Sequence, residues 1–304
     1  MIGTVADCRL LEQIYDSANS MVFRATPDDD GFSHLDRPSV IVKILKEDYP
    51  SAAELTRYRQ EYEITCSLAE VDGVINVFGI EPYQRTYAIL LEDIDGRSLK
   101  DLYLNKSLPL RTFLSLAIQL AGVLGQVHQR GIIHKDINPS NILFNPASGQ
   151  IKLIDFGIAT QLSRENPILK NPRVLEGTLA YISPEQSGRM NRVLDYRTDF
   201  YSLGVTFYEL LTGKLPFTAT DPLALVHCHI AHQPVPPHEA SPKVPEILSR
   251  IILKLMAKTA EERYQSAFGL QADLEQCWSY LQEQDAIPNF RLGTQDFSNR
   301  FHIP

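Results

Sequence analysis

The apolar positions in the first ninety-odd residues fall in short alternating or continuous runs. SMVFRA (20–25), PSVIVKIL (38–45), VINVFGI (74–80) and TYAILLED (86–93) are rich in β-branched and aromatic residues and separated by polar turns, which predicts strands. One helix interrupts them. Ser51 is its candidate N-cap, and SAAELTRYRQEYEITCSLAE (51–70) sets Leu55, Tyr58, Tyr62 and Leu68 at near-helical spacing. Beyond residue 95 the period lengthens: Phe113, Leu116, Leu120, Leu124 and Val127 step by three or four and predict an amphipathic helix stopped at Gly131. The run TDFYSLGVTFYELLTG (198–213) is apolar nearly all round, the pattern of a helix buried in a larger helical body, with Gly213 at its end. Leu270, Leu274, Cys277 and Leu281 mark a last helix, after which QDAIPNFRLGTQDFSNRFHIP (284–304) shows no sustained period and reads as a connector rather than a closing element.

Composition narrows the function classes. At 304 residues and 44% hydrophobic the chain can bury a substantial core. Its 29 basic against 37 acidic side chains give a formal net charge of −8, which argues against binding nucleic acid or an anionic membrane surface. Cys8, Cys66, Cys228 and Cys277 lie far apart with no CxxC pair, so neither a disulfide framework nor a zinc site is suggested, and a reducing cytoplasm fits. No signal peptide or membrane span is expected, because no basic-then-apolar leader opens the chain and no stretch approaches eighteen uninterrupted apolar residues. The acidic triplet Asp28 to Asp30 reads as a solvated turn.

Five residues in chain order carry the chemistry: Lys43 in VIVK, Glu61 in the following helix, Asp136 and Asn141 in HKDINPSN, and Asp155 in DFG. Each alone is weak, but their order and spacing together resemble eukaryotic-type protein kinases. The resemblance runs from about residue 10 to residue 283 and takes in GTLAY (177–181), SPE (183–185), DFYSLG (199–204) and RYQSA (263–267). It implies an α+β, bilobal protein-kinase fold: an antiparallel-sheet N-lobe with one key helix over 1–94, a helical C-lobe over 95–283, and a linker over 284–304.

The resemblance also implies roles. ATP and Mg²⁺ are the expected ligands. Lys43 should hold the α- and β-phosphates, positioned by Glu61 rather than Glu63. Asp136 should take the proton of a substrate hydroxyl, while Asn141 and Asp155 bind magnesium. Thr178 should bond near Asp136, and with Asn-Pro-Ser in the catalytic loop it points to Ser/Thr acceptors on proteins. Ile14, Ser17, Ser20, Val22, Ile41, Leu91, Glu92, Ile94 and Leu143 should line the nucleotide slot. His134, Asp199, Glu185 and Arg263 are expected to be structural, with Glu185 pairing Arg263 and Asp199 anchoring the catalytic-loop backbone. HKDINPSN, DFGIATQLSRENP, EGTLAYISPEQSGRMNR and DYRTDFYSLGVTFYELLTG look like the N-terminal kinase domains of large cyanobacterial hybrid proteins, in which the kinase precedes an ATPase-like module, a GAF domain and a histidine kinase. That likeness makes downstream sensor and histidine kinase domains the expected partners.

The pattern breaks in places. Tyr15, Ser17 and Ser20 stand where the glycine-rich loop carries glycines, which should weaken the backbone cradle for phosphates. Asn138 replaces the usual lysine that contacts the γ-phosphate; one lost charge-assisted hydrogen bond removes on the order of 1.5–3 kcal/mol, roughly 10- to 150-fold in rate. Since Lys43, Glu61, Asp136, Asn141 and Asp155 all remain, an active kinase is favoured over a pseudokinase that holds nucleotide or regulates attached domains. Ile41, where alanine is usual, should narrow the adenine pocket, and the LVHCHIAHQ cluster (225–233) reads as packing rather than a metal site.

Lys135 stands in place of the arginine that clamps a phosphorylated loop, and Thr160 and Ser163 are the only hydroxyl residues between DFG and the Gly-Thr pair. A Thr160→Ala, Ser163→Ala double variant is therefore expected to retain most phosphotransfer; complete loss in a γ-phosphate transfer assay would refute weak dependence on loop phosphorylation.

Overall fold

The structure, a computed structural model, describes residues 4–5, 7–16, 20–27, 39–46, 50–103, 105–161, 178–188 and 194–297. The chain divides into two compact units, residues 1–96 with 145–157 and residues 97–144 with 158–304. Ser17, Ser163 and the triplet Asp28 to Asp30 lie outside the described residues.

The first unit holds β1 (Thr4–Val5), β2 (Cys8–Asp16), β3 (Ser20–Pro27), β4 (Val40–Leu45), α1 (Ala52–Ser67), β5 (Val77–Tyr83) and β6 (Thr86–Glu92). Its antiparallel sheet runs β1-β2-β3-β4-β6-β5, and alternation along β4 sends Val40, Val42 and Ile44 into a core with Cys8, Leu10, Ala25, Ala88 and Leu90. Strand β2 goes beyond the four strands that the apolar pattern predicts, because from Leu11 onward all its residues are exposed. The predicted strand over 74–80 starts only at Val77; Val74 instead bridges Leu153, and the Ile75 amide donates to the Leu153 carbonyl at 3.1 Å. Those contacts, with Asn145 Nδ2 donating to the Ile94 carbonyl at 2.8 Å, tie residues 145–157 to the sheet rather than to the helical body expected to contain them.

Helix α1 begins where predicted. Ser51 and Glu54 form a reciprocal capping box, which satisfies two amides the first turn would otherwise leave bare. Its buried face is Tyr58, Glu61, Ile64, Thr65 and Leu68, whereas Leu55 and Tyr62 are only half-buried. The Tyr58 hydroxyl donates to the Lys43 carbonyl at 2.6 Å and fixes the helix against β4.

The second unit carries α2 (Leu99–Tyr103), α3 (Leu110–Gln129), α4 (Arg197–Thr212), α5 (Pro222–Ala231), α6 (Pro237–Ala240), α7 (Glu246–Leu255) and α8 (Ala267–Gln284). Helix α4 is buried all round apart from Glu209 and Thr212, as its unbroken apolar run requires, and Gly213 closes it in the left-handed region at φ +73°. Among the described helices α3 alone is long and apolar enough to cross a membrane by length and composition. In this fold its apolar stripe is buried: Phe113 meets Phe207 of α4 edge to face at 5.1 Å, and Arg111 donates to the Leu281 carbonyl of α8 at 3.1 Å.

Residues 285–297 are not a bare connector. Asp296 accepts hydrogen bonds from the amides of Gln265 and Ser266, both at 2.9 Å, and the Gly293 amide donates to Asp273 at 2.8 Å. The expectation fails because these anchors are single polar contacts without a period. Gly269 makes the close approach possible, since a Cβ there would lie 2.5 Å from the Asp296 Cα. Gly269→Ala is therefore expected to destabilise the protein by about 1–3 kcal/mol, the usual range for overpacking, as read by urea unfolding; an unchanged midpoint would show that the tail is not held there.

Candidate active site

In the first unit, β4 presents Lys43 and α1 presents Glu61, whose carboxylate lies 2.6 Å from the Lys43 ammonium. The same ammonium lies 3.4 Å from Asp155, which sits in the left-handed region at φ +64° just after the strand Gln150–Leu153. One ammonium thus faces two carboxylates. Burial opposes the charge on Lys43, but Asp155 and Glu61 overcome it and hold the lysine above its ordinary value. Burial raises Glu61, with Asp155 adding repulsion that Lys43 only partly offsets. Glu63, the other acidic residue near this position, is exposed.

Around this cluster Ile41 pairs with Leu91 across β4 and β6, and both are half-buried. Val22 pairs with Lys43 and with Tyr15, Ser20 pairs with Leu45, and Ile14 is 44% exposed on β2. The Glu92 side chain turns to Asn76 Nδ2 at 2.8 Å and Lys152 at 3.4 Å, and its amide donates to the Asn76 carbonyl at 2.9 Å, so the residue is tied to the segment before β5. Two ion pairs here escaped the sequence reading. Arg24 Nε lies 2.7 Å from Asp93, and buried Lys152 also donates to the Val74 carbonyl at 3.2 Å. Neither belongs to a local motif, so spacing offered no signal.

In the second unit the segment 134–141 is built on Asp199 of α4. Its fully buried carboxylate accepts the His134 amide at 2.9 Å, the Lys135 amide at 2.8 Å and lies 2.8 Å from His128 Nε2. Burial pushes this carboxyl up, but the bond and charge of His128 win and hold it below the usual carboxylate range. His134 is itself buried, and its Nδ1 accepts the Asp136 amide at 3.2 Å. Leu143 follows on the strand Ile142–Asn145, paired with Ser98.

The Asp136 carboxylate is gripped on both oxygens, Oδ1 by the Thr178 amide and Oδ2 by Asn141 Nδ2, each at 2.9 Å. Asn141 spends its nitrogen on Asp136, donating also to the backbone carbonyl at 2.9 Å, which assigns its oxygen to any cation it holds. Asn141 Oδ1 in one unit and the Asp155 carboxylate in the other are hard oxygen donors of the kind magnesium takes.

Asn138 departs from its expected place as a phosphate contact. Only 2% exposed, it accepts the Ser140 amide at 2.9 Å and donates to the Asp136 carbonyl at 3.1 Å and to Thr178 Oγ1 at 3.3 Å. A short amide cannot reach outward as a lysine does, and its polar atoms are used within the loop.

Glu185 and Arg263 form a two-pronged buried pair at 2.6 and 2.9 Å, with Thr198 Oγ1 adding a bond to Glu185 at 2.8 Å. Burial raises the Glu185 carboxyl, and Arg263 more than reverses this, holding it below its ordinary 4.5. In the histidine cluster His229 is buried against Tyr201, whose hydroxyl lies 3.0 Å from Nδ1, and burial pushes it down to about 4. Among the described residues no group of three or more His, Cys, Asp or Glu side chains is placed to hold a metal ion.

The protein kinase domain model matches residues 30–278, and the chain belongs to that family. A probable serine/threonine-protein kinase of Clostridium perfringens is 34% identical over 279 residues, which is 90% of this chain and 39% of that protein. The serine/threonine-protein kinase PknB of Mycobacterium leprae is 32% identical over 246 residues (77% of this chain, 38% of that one), and PrkC of Bacillus subtilis is 32% identical over 244 (79% and 36%). The chain therefore spans well under half the length of these curated relatives.

Glu185→Gln leaves the Arg263 guanidinium buried without its counter-charge and is expected to destabilise the protein by about 3 kcal/mol. Because the folded carboxyl is depressed, its stabilisation is complete above the unfolded value and is lost as pH falls through the folded one. Unfolding free energies of wild type and variant should therefore differ at pH 7 and begin to converge only as pH falls below the unfolded glutamate value of about 4.3; a gap independent of pH would mean that the charge is not what stabilises.

Proposed function

We propose that this chain is a Ser/Thr protein kinase that transfers the γ-phosphate of ATP to serine or threonine hydroxyls of proteins, itself included. The observation that carries the reading is the Asp136 carboxylate, fixed by neutral donors on both oxygens while each oxygen keeps a lone pair for a substrate proton. In this reaction the acceptor oxygen attacks the γ-phosphorus, the bond to the β-phosphate oxygen breaks with ADP leaving, and the hydroxyl proton passes to Asp136. Lys43, kept protonated and aimed by Glu61, binds the α- and β-phosphates. Thr178 and Asn141 orient Asp136. Magnesium, when bound by Asn141 and Asp155, neutralises charge on the phosphate oxygens.

The named Ser/Thr kinases among the relatives support the acceptor class. The likeness to cyanobacterial hybrid proteins extends the reading to a cytoplasmic signalling kinase whose partners are downstream sensor and histidine kinase domains. A nucleotide-holding pseudokinase is the second reading, favoured by the absent loop glycines and by an Asn138 whose polar atoms serve the loop.

The test is radiolabelled γ-phosphate transfer from magnesium-ATP to the protein and to a generic basic substrate. Asp136→Asn is expected to lower kcat by about 10²–10⁴-fold, and Lys43→Met by about 10²-fold or more. Phosphoserine or phosphothreonine that vanishes in both variants supports the kinase; measurable ATP binding without transfer supports the second reading.

A further inference from the structure

Residues 134–136 are held at their peptide groups. Lys135 is a non-glycine residue in the left-handed region at φ +70°, a conformation that costs about 1 kcal/mol or more and persists only where neighbours enforce it. Asp199 enforces the amide side, taking the His134 and Lys135 N–H groups. The carbonyl side, which belongs to the peptide leading into Asp136, is taken by Gln186: its Nε2 donates to the Lys135 carbonyl at 2.8 Å. The other end of the same side chain, Oε1, accepts the Ser183 amide at 3.0 Å, and the Gln186 amide returns a bond to Ser183 Oγ at 3.4 Å. Ser183 is fully buried. It lies five residues beyond Thr178, whose amide grips Asp136 Oδ1.

These contacts close a ring: from the Asp136 carboxylate to Thr178, along the chain to Ser183, through the Gln186 side chain to the Lys135 carbonyl, and back to Asp136. We propose that Gln186 is a positioning residue for the phosphotransfer reaction, a two-ended clip that fixes the Lys135–Asp136 peptide and thereby the direction of the Asp136 carboxylate relative to the Thr178–Ser183 segment. Gln186 acts through Asp136 and touches no reacting atom. A glutamine is suited to the task because one amide supplies both the donor for Lys135 and the acceptor for Ser183. Glutamate keeps the shape and the acceptor but opposes a carboxylate to the Lys135 carbonyl; methionine keeps the bulk and loses both bonds. The proposal rests on the phosphotransfer reading above.

Its test compares Gln186→Glu and Gln186→Met with wild type in the full chain, measuring kcat, KM for ATP, melting temperature and hydrogen exchange. A fall in kcat of about tenfold or more in both variants, the scale expected of a misdirected catalytic group, is expected, with KM for ATP and the melting temperature nearly unchanged. Exchange should quicken in peptides covering 134–141 and 178–187 alone. Unchanged kcat overturns the proposal. So does a loss of kcat that follows a loss of folding, or exchange that rises across the whole second unit, because Gln186 would then hold the fold rather than the carboxylate. If wild type itself transfers no phosphate, the kinase reading fails separately, and exchange still decides the clip: quickening confined to the two segments supports it, and no change overturns it.

Discussion

The second unit depends on one buried carboxylate. Asp199 is wholly inaccessible to solvent, and an ionised group in that position is tolerable only when its acceptor sites are filled by donors in good geometry. His128 of α3 and the successive amides of His134 and Lys135 fill them. Because Asp199 belongs to a helix buried on nearly every face, it cannot yield to accommodate its donors; the backbone before Asp136 must come to it. A helix that looks purely structural in its apolar run therefore dictates the path of the catalytic loop.

The first unit meets the same demand with a different device. Lys43 faces Glu61 and Asp155 together, and the position of each is set by ordinary packing: alternation in β4, the capped start and Tyr58 tether of α1, and the turn after Gln150–Leu153. A buried ion pair of this kind adds little net stability, since desolvation consumes most of the Coulombic gain. Geometry is what it supplies, a charged amine held in one place between two carboxylates.

How much could be read from the sequence follows from which forces leave a periodic trace. Strands β4 and β6 and helices α1, α3, α4 and α8 were legible because each buries a face, and burial writes a period into the residues; β3, with only Ala25 buried, was legible from its β-branched and aromatic content. The candidate site was legible as an ordered set of residue types, through Lys43, Glu61, Asp136, Asn141 and Asp155. Strand β2 was not, because past Leu10 it buries nothing. Nor was the returning tail, whose attachment lies in Asp296 and the space left by Gly269. Gln186 escaped for a related reason: it follows the familiar SPE triplet, and its partner is a backbone carbonyl 51 residues earlier, which no side-chain motif can encode.

Asn138 shows where residue type alone misleads. As a substitution it is a lysine without its charge, a loss that falls on the phosphate alone. In place, the amide accepts the Ser140 N–H at the start of the short turn Pro139–Asn141 and donates to the Asp136 carbonyl and to the Thr178 hydroxyl oxygen, and a lysine has no acceptor for the first of these bonds. An ammonium at this position would bring charge to the γ-phosphate, and the neutral amide does not. Asp136 is gripped on its oxygens by neutral N–H groups, and in the proposed reaction the positive charge on the phosphates is left to Lys43 and the cation.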